Sequence, residues 1–179
     1  MNSKQAQTLI NTARAAGAVG NNPSTLRAVR DHLRKTPYKQ PVCILDYGCG
    51  PARRHVHELQ QWCEAQGISA TVYGLDLADS AEHQQKMLAR TFNVVYASNV
   101  LTVQPSIPWL NYTLNQLKNY AQTGATVFAN YPNNPRKLGW NKATMREHLL
   151  SIGFTLTVHM AHKHVWRLTW QDFPLSRSI

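Results

Sequence analysis

The chain has 179 residues, of which 43% are apolar and 16% charged, so we expect one globular domain with a buried core and exclude a disordered chain. No apolar run approaches the roughly 20 residues of a membrane-spanning helix, and the N-terminus lacks a secretion signal, so we expect a cytoplasmic protein without a membrane anchor. The net charge of +10 favours anionic partners such as nucleic acid, although a basic surface also promotes solubility.

Two helices are predicted to open the chain, at about 4–16 and 24–36, and together they form an N-terminal helical segment over residues 1–40. The sequence Asn22-Pro23-Ser24 offers a cap and a turn to the second helix. Three arginines lie along this helix at helical spacing: Arg27, Arg30 and Arg34. This spacing would suit either contacts with successive phosphates of a nucleic acid (phosphate tracking) or a solvated helix face.

From residue 41 onward, apolar strand patterns alternate with helical patterns. Strands are predicted at 42–45, 70–75, 92–97 and 125–129, and helices at about 53–66, 80–90 and 106–121 and between Asn141 and Gly153. Period-two alternation at 154–160 and 166–170 predicts a hairpin with a turn near 161–163. Residues 41–179 are therefore predicted to form an α/β domain, a Rossmann-like mixed sheet in which parallel strands end in an antiparallel hairpin, with helices on both faces.

The segment Asp46-Tyr47-Gly48-Cys49-Gly50 lies where the first strand leads into a helix. Glycine there allows a tight turn and a close approach of a ligand to the backbone, and the helix directs free N–H groups at that ligand. At the end of the second strand, Asp76 is placed to accept both hydroxyls of a ribose. The alternatives are a turn role for Asp46, holding loop amides, and a helix-cap role for Asp76.

These residues resemble motifs of the class I S-adenosylmethionine-dependent methyltransferases. Leu45–Gly50 resembles the first motif, Tyr73–Asp76 the second, and 92–101 the fourth. The resemblance implies S-adenosylmethionine as cofactor. The cofactor-binding residues that it implies are Asp46, Tyr47, Gly48, Cys49, Gly50, Asp76, Leu77, Ser98 and Asn99.

The sequence departs from the family pattern in two places. Ala52 replaces the third glycine of the first motif, and only the fifteen residues 77–91 separate the second and third predicted strands. That gap is too short for the additional strand that the family usually has, so we expect six strands, in the family's order second, first, fourth, fifth, seventh, sixth. A nicotinamide or flavin site is disfavoured because Arg53 stands where its fingerprint requires glycine.

In this fold the reacting group lies beyond the carboxyl ends of the strands. That placement brings the loop 131–141 near the transferred methyl group, and its candidate acceptor-binding residues are Tyr131, Arg136, Lys137 and Trp140. An ordinary solvated loop, with the tryptophan in a packing role, is the alternative. No catalytic residue and no metal site are identified. The candidate bases are His159, His162 and His164, but two of these three histidines are expected at an exposed hairpin turn.

The function predicted from the sequence is methyl transfer from S-adenosylmethionine to an anionic acceptor, with nucleic acid or a nucleotide foremost. Two alternatives stay open: an enzyme of the same fold that cleaves the cofactor, and a binding or scaffold module without catalysis. The motifs that distinguish DNA amino-methyltransferases and cytosine-C5 methyltransferases are both absent, so the acceptor is not named by a motif.

Overall fold

The computed structural model describes residues 23–131, 137–159 and 162–170. The strands are β1 (Val42–Tyr47), β2 (Ala70–Leu75), β3 (Phe92–Ala97), β4 (Ala121–Asn130), β5 (Phe154–His159) and β6 (His162–Trp170). The helices are α1 (Ser24–Lys35), α2 (Arg54–Ala65), α3 (Ala81–Leu88), α4 (Ile107–Tyr120) and α5 (Lys142–Ser151), with a short 3-10 helix at Leu101–Val103. The predicted helix at 4–16 lies outside the described residues.

The six strands form one sheet in the order β2-β1-β3-β4-β6-β5. Strands β1 to β4 are parallel to one another, and β6 runs antiparallel to both β4 and β5. This order confirms the predicted six-stranded mixed sheet. Within the described ranges, β2 is an edge strand.

Two boundaries differ from the prediction. Strand β6 begins at His162, which pairs with His159, so the predicted turn at 161–163 overlaps the strand. Strand β4 begins at Ala121, directly after α4, instead of at residue 125. In both places the strand pairing continues past the apolar positions from which the prediction was made.

Apolar side chains fill both faces of the sheet because consecutive strand residues point in opposite directions. Ile44 packs in the layer beneath α1 and α2, whereas Leu45 packs in the layer beneath α3, α4 and α5. Val94 and Val95 divide in the same way. Burial on both faces explains why these strands read as continuous apolar runs.

The helix ends follow local chemistry. The Asn141 side chain accepts a hydrogen bond from the Thr144 backbone N–H at 2.9 Å, which confirms it as the cap of α5. At α1 the cap position is Pro23, without a side-chain hydrogen bond, and Asn22 lies outside the described residues. None of the helices described is long and apolar enough to cross a membrane.

Candidate cofactor site

The loop that follows β1 contains two glycines with different roles. Both have a positive φ, +81° at Gly48 and +72° at Gly50. A Cβ on Gly48 would lie 2.6 Å from Val100 Cγ2, whereas a Cβ on Gly50 would have no atom within 4 Å. Gly48 therefore permits the loop to pack against the segment after β3, and Gly50 borders open space that a ligand can fill.

Hydrogen bonds hold this loop against the loop that follows β2. The backbone N–H of Gly48 donates to the Leu75 carbonyl at 2.7 Å. The N–H of Gly50 donates to Asp76 Oδ2, and that of Ala78 donates to Asp76 Oδ1, both at 3.0 Å. The Asp76 carboxylate thus lies next to Gly50, and each of its oxygens keeps a lone pair for a further donor.

Asp76 does not cap the following helix. The N-cap of α3 is Ser80, whose Oγ accepts from the His83 backbone N–H at 3.2 Å. The alternative role of Asp76 as a helix cap is therefore excluded, because Ser80 occupies the N-cap position. Leu77, the next predicted cofactor contact, is half-buried in the same loop.

Asp46 is buried at the end of β1, with 2% of its surface exposed. Its Oδ2 atom has no hydrogen-bond partner among the described residues, and neither has the hydroxyl of Tyr96 on the adjacent strand. Burial raises the pKa of the Asp46 carboxyl to about 7. The Tyr96 hydroxyl lies close enough to offset part of this shift without meeting hydrogen-bond geometry, and the charge of Asp76 adds to the shift. A buried acceptor without a donor is unfavourable, so Asp46 fits a ligand that brings an N–H group.

Tyr47, the last residue of β1, and Cys49, in the loop after it, have contacts inside the protein. Tyr47 is buried, and its ring centroid lies 6.0 Å from that of Tyr120. Cys49 is half-buried, and its thiol donates to the Gly50 carbonyl at 3.4 Å. Burial raises the pKa of this thiol to about 12, so it stays protonated and is a poor nucleophile.

Ser98 and Asn99 follow β3 and have partners inside the protein. Ser98 is buried and forms a hydrogen bond with the Thr25 hydroxyl in the first turn of α1. The Asn99 N–H donates to Asn130 Oδ1, and Asn130 Nδ2 donates to Asn99 Oδ1, each at 2.5 Å. This reciprocal pair stabilises Asn99 at a φ of +61°. Asn130 was not predicted; its position at the carboxyl end of the neighbouring strand was the available signal.

A second group that sequence reasoning missed joins the two loops. The guanidinium of Arg53 donates to the Gly74 carbonyl and to Asp79 Oδ1, both at 2.6 Å. A Cβ on Gly74 would lie 2.8 Å from both Cys49 Sγ and Val56 Cγ2. Gly74 is thus required where the first loop, α2 and β2 meet, and Arg53 occupies the helix–strand contact that a dinucleotide fingerprint reserves for glycine.

Of the predicted acceptor contacts, Tyr131 is completely buried. Its hydroxyl donates to the Trp140 carbonyl at 3.0 Å, and its ring stacks on Trp166 at 5.7 Å. This placement favours a packing role over the contact predicted from sequence. Trp140 is half-buried and Lys137 exposed, while Arg136 lies outside the described residues.

The arginines of α1 have mostly intramolecular partners. Arg30 forms an ion pair with Glu58 at 3.0 Å. The guanidinium carbons of Arg30 and Arg34 lie 5.6 Å and 5.1 Å from the ring centroid of Trp62. Arg27 is exposed. Phosphate tracking by all three arginines is therefore disfavoured.

Two of the candidate histidine bases also have neighbours. His162 Nε2 lies 3.6 Å from Asp31 Oδ2, and His164 Nδ1 lies 2.9 Å from Lys142 Nζ. The side chain of His159 is outside the described set. Over the described ranges, no group of three or more His, Cys, Asp or Glu side chains is arranged to hold a metal ion.

Comparisons with known proteins identify the fold. No protein-family model matches the sequence, and no curated protein matches it significantly. A TehB-like SAM-dependent methyltransferase from Corynebacterium glutamicum aligns with 94% of this chain and 97% of its own, at 15% identity and a TM-score of 0.51. The glycopeptide N-methyltransferase MtfA aligns with the same shares at 12% identity, with a TM-score of 0.47. The chain has the fold of the class I S-adenosylmethionine-dependent methyltransferases.

Proposed function

We propose that the protein binds S-adenosylmethionine between the loops that follow β1 and β2. The observation that carries the proposal is the open space beside Gly50, bordered by the Asp76 carboxylate, whose oxygens keep free lone pairs. In this proposal the Asp76 carboxylate accepts the ribose hydroxyls. The unpartnered Oδ2 of Asp46 accepts from the ammonium group of the methionine moiety.

We further propose that the bound cofactor is used for methyl transfer. The cofactor supplies an already activated methyl group, so the protein's main contribution is to align the acceptor with it. In this proposal Asn99 borders the acceptor, and its support is the pair of hydrogen bonds with Asn130 at the carboxyl ends of β3 and β4. The half-buried thiol of Cys49 has a pKa raised by burial, so we assign it no nucleophilic part.

The test is calorimetric titration with S-adenosylhomocysteine, the demethylated product. The wild-type protein should bind one molecule per chain. Asp76→Ala should weaken binding more than about tenfold, because hydrogen bonds to a charged acceptor contribute about 1.5 to 3 kcal/mol. Glu147→Ala, which removes a carboxylate at an exposed position of α5, is the matched control and should bind as the wild type does. Absence of binding to the wild-type protein would refute the proposal.

For the acceptor, we propose an anionic molecule, foremost a nucleic acid or nucleotide. The net charge of +10 and the exposed Lys137 support it, and Arg136 and the half-buried Trp140 belong to the same loop. Binding to short DNA and RNA should weaken steeply as salt rises, since each neutralised phosphate releases counterions. Replacing Arg136 and Lys137 by alanine should flatten that dependence. If no oligonucleotide binds at low salt, small-molecule acceptors replace this proposal.

A labelled methyl group distinguishes transfer from the alternatives. Incubation of the protein with methyl-labelled cofactor and the acceptor panel should move the label to an acceptor. Label recovered in a cofactor fragment would instead show cleavage. Intact, bound cofactor with every acceptor would indicate a binding module.

A further inference from the structure

We propose that Arg53 is a positioning residue that holds Asp76 in place for the ribose hydroxyls. This inference rests on the proposed function, because the ribose belongs to the proposed cofactor. Arg53 joins the loop after β1 to the loop after β2 through its side chain. We assign it no contact with the ligand itself.

A closed ring of four hydrogen bonds links Arg53 to Asp76. The Arg53 backbone N–H donates to the Gly50 carbonyl at 3.2 Å, and its Nη2 donates to Asp79 Oδ1 at 2.6 Å. Asp79 Oδ2 accepts from the Asp76 N–H at 2.8 Å. The Gly50 N–H then donates to Asp76 Oδ2 at 3.0 Å, which closes the ring. Asp76, whose carboxylate is proposed to bind the ribose, is therefore held by hydrogen bonds to both its backbone N–H and its side chain.

Arginine suits this position because its planar guanidinium directs two N–H donors at two acceptors. Nη1 donates to the Gly74 carbonyl while Nη2 donates to Asp79. The space exists because residue 74 has no side chain: a Cβ there would lie 3.2 Å from Arg53 Nη1. Arg53 also keeps a φ of +48°, which is unfavourable for a residue other than glycine. We infer that the ring compensates for this backbone strain.

Arg53 and a second side chain, Gln60, cover the outer edge of β2, where the family usually has another strand. Residues 70, 72 and 74 direct their backbone groups away from β1, because successive strand residues alternate in direction. The Gln60 side chain accepts from the Val72 N–H at 2.9 Å and donates to the Ala70 carbonyl at 3.2 Å. Arg53 donates to the Gly74 carbonyl, the next group along that edge. Side chains of α2 and its N-cap, together with His83 of α3, whose Nε2 lies 3.0 Å from the Gly74 carbonyl oxygen, thus occupy the edge that a further strand would pair with. At Gly74 the Arg53 hydrogen bond also supports the ring.

The test compares two ligands, S-adenosylhomocysteine and its 2′,3′-dideoxy analogue, by calorimetry. Arg53→Ala should weaken binding of S-adenosylhomocysteine about tenfold and change binding of the dideoxy analogue by less than about twofold, because only the first ligand uses Asp76. Arg53→Lys keeps the charge but reaches one acceptor, so it should weaken only the first ligand, by about threefold. Arg146→Ala on α5 is a charge-matched control and should bind both ligands as the wild type does.

Several outcomes would overturn the inference. Equal losses for both ligands would show that Arg53 supports the fold alone, and wild-type affinity in both Arg53 variants would show that it supports nothing at the site. Thermal melting monitors folding; if Arg53→Ala does not fold, the ligand selectivity of Arg53→Lys decides. If the wild-type protein binds neither ligand, the proposed function itself fails, and this inference with it.

Discussion

Replacing Asp46 by asparagine should stabilise the ligand-free protein at neutral pH. Burial raises the pKa of this carboxyl from 3.8 to about 7 in the folded state. Below the pKa that the carboxyl has in the unfolded chain, it is neutral in both states and does not make the free energy of unfolding depend on pH. Between the two values the folded protein keeps a proton that the unfolded chain has lost, so the free energy of unfolding falls as pH rises.

The size of the effect follows from the shift. One pKa unit corresponds to about 1.4 kcal/mol, so a rise of the pKa from 3.8 to about 7 should cost about 4 kcal/mol of stability above about pH 7. Asparagine has nearly the same shape and does not titrate. The stability advantage of Asp46→Asn over the wild type should therefore grow by about 4 kcal/mol between about pH 4 and pH 7 and then stay constant.

Denaturant unfolding at a series of pH values measures this difference directly. Glu147→Gln, at an exposed position of α5, serves as the control for loss of a carboxyl elsewhere. If the curves of wild type and Asp46→Asn ran parallel across this range, the carboxyl would not be held neutral by burial. The assignment of Asp46 as an acceptor without a donor would then be wrong.

The same group should make cofactor binding depend on pH. An ammonium group near Asp46 favours the ionised carboxylate, so the affinity for S-adenosylhomocysteine should rise as pH increases toward about 7 and level off above it. Asp46→Asn should bind more weakly than the wild type at neutral pH and lose this dependence, although it is the more stable protein. Titrations of both proteins at several pH values check the prediction, and an affinity independent of pH in the wild type would contradict it.

Three further substitutions separate packing from binding. Gly48→Ala should lower the free energy of unfolding by about 3 kcal/mol, because its Cβ would lie 2.6 Å from Val100 Cγ2 at a positive φ; a stability loss below about 1 kcal/mol would contradict this. Gly50→Ala should cost only about 1 to 2 kcal/mol, since its Cβ meets open space, yet weaken S-adenosylhomocysteine about tenfold by filling that space; unchanged affinity would show that the cofactor lies elsewhere. Asn130→Ala should cost about 1 to 3 kcal/mol in denaturant unfolding, because Asn99 loses both partners at its positive φ, and a neutral effect would contradict that role.

The sheet was predictable from sequence because its signals are local. Strands buried on both faces appear as apolar runs such as 92–97, and the final hairpin shows strict alternation. The length of the 77–91 segment predicted a sheet of six strands, and the described residues form a six-stranded sheet in the predicted order. The two loops could be paired in advance because parallel neighbouring strands end at the same edge of the sheet.

The connections within the site were not predictable in the same way. The contact of Arg53 with Asp79 and the pairing of Asn99 with Asn130 join residues 26 and 31 positions apart. No periodicity encodes such pairs, because they depend on how two loops meet after the sheet has formed. The burial of Tyr131 was missed for a related reason: composition indicates a loop but not which of its side chains turns inward.

A crystal structure of the protein with S-adenosylhomocysteine would show directly whether the ligand binds between the loops that follow β1 and β2. The expected placement has the ribose hydroxyls about 2.7 Å from the Asp76 carboxylate, the ligand over Gly50, and the methionine ammonium within hydrogen-bonding distance, about 3 Å, of Asp46 Oδ2. A ligand bound elsewhere, with the space beside Gly50 empty and Asp46 Oδ2 still without a donor, would contradict it.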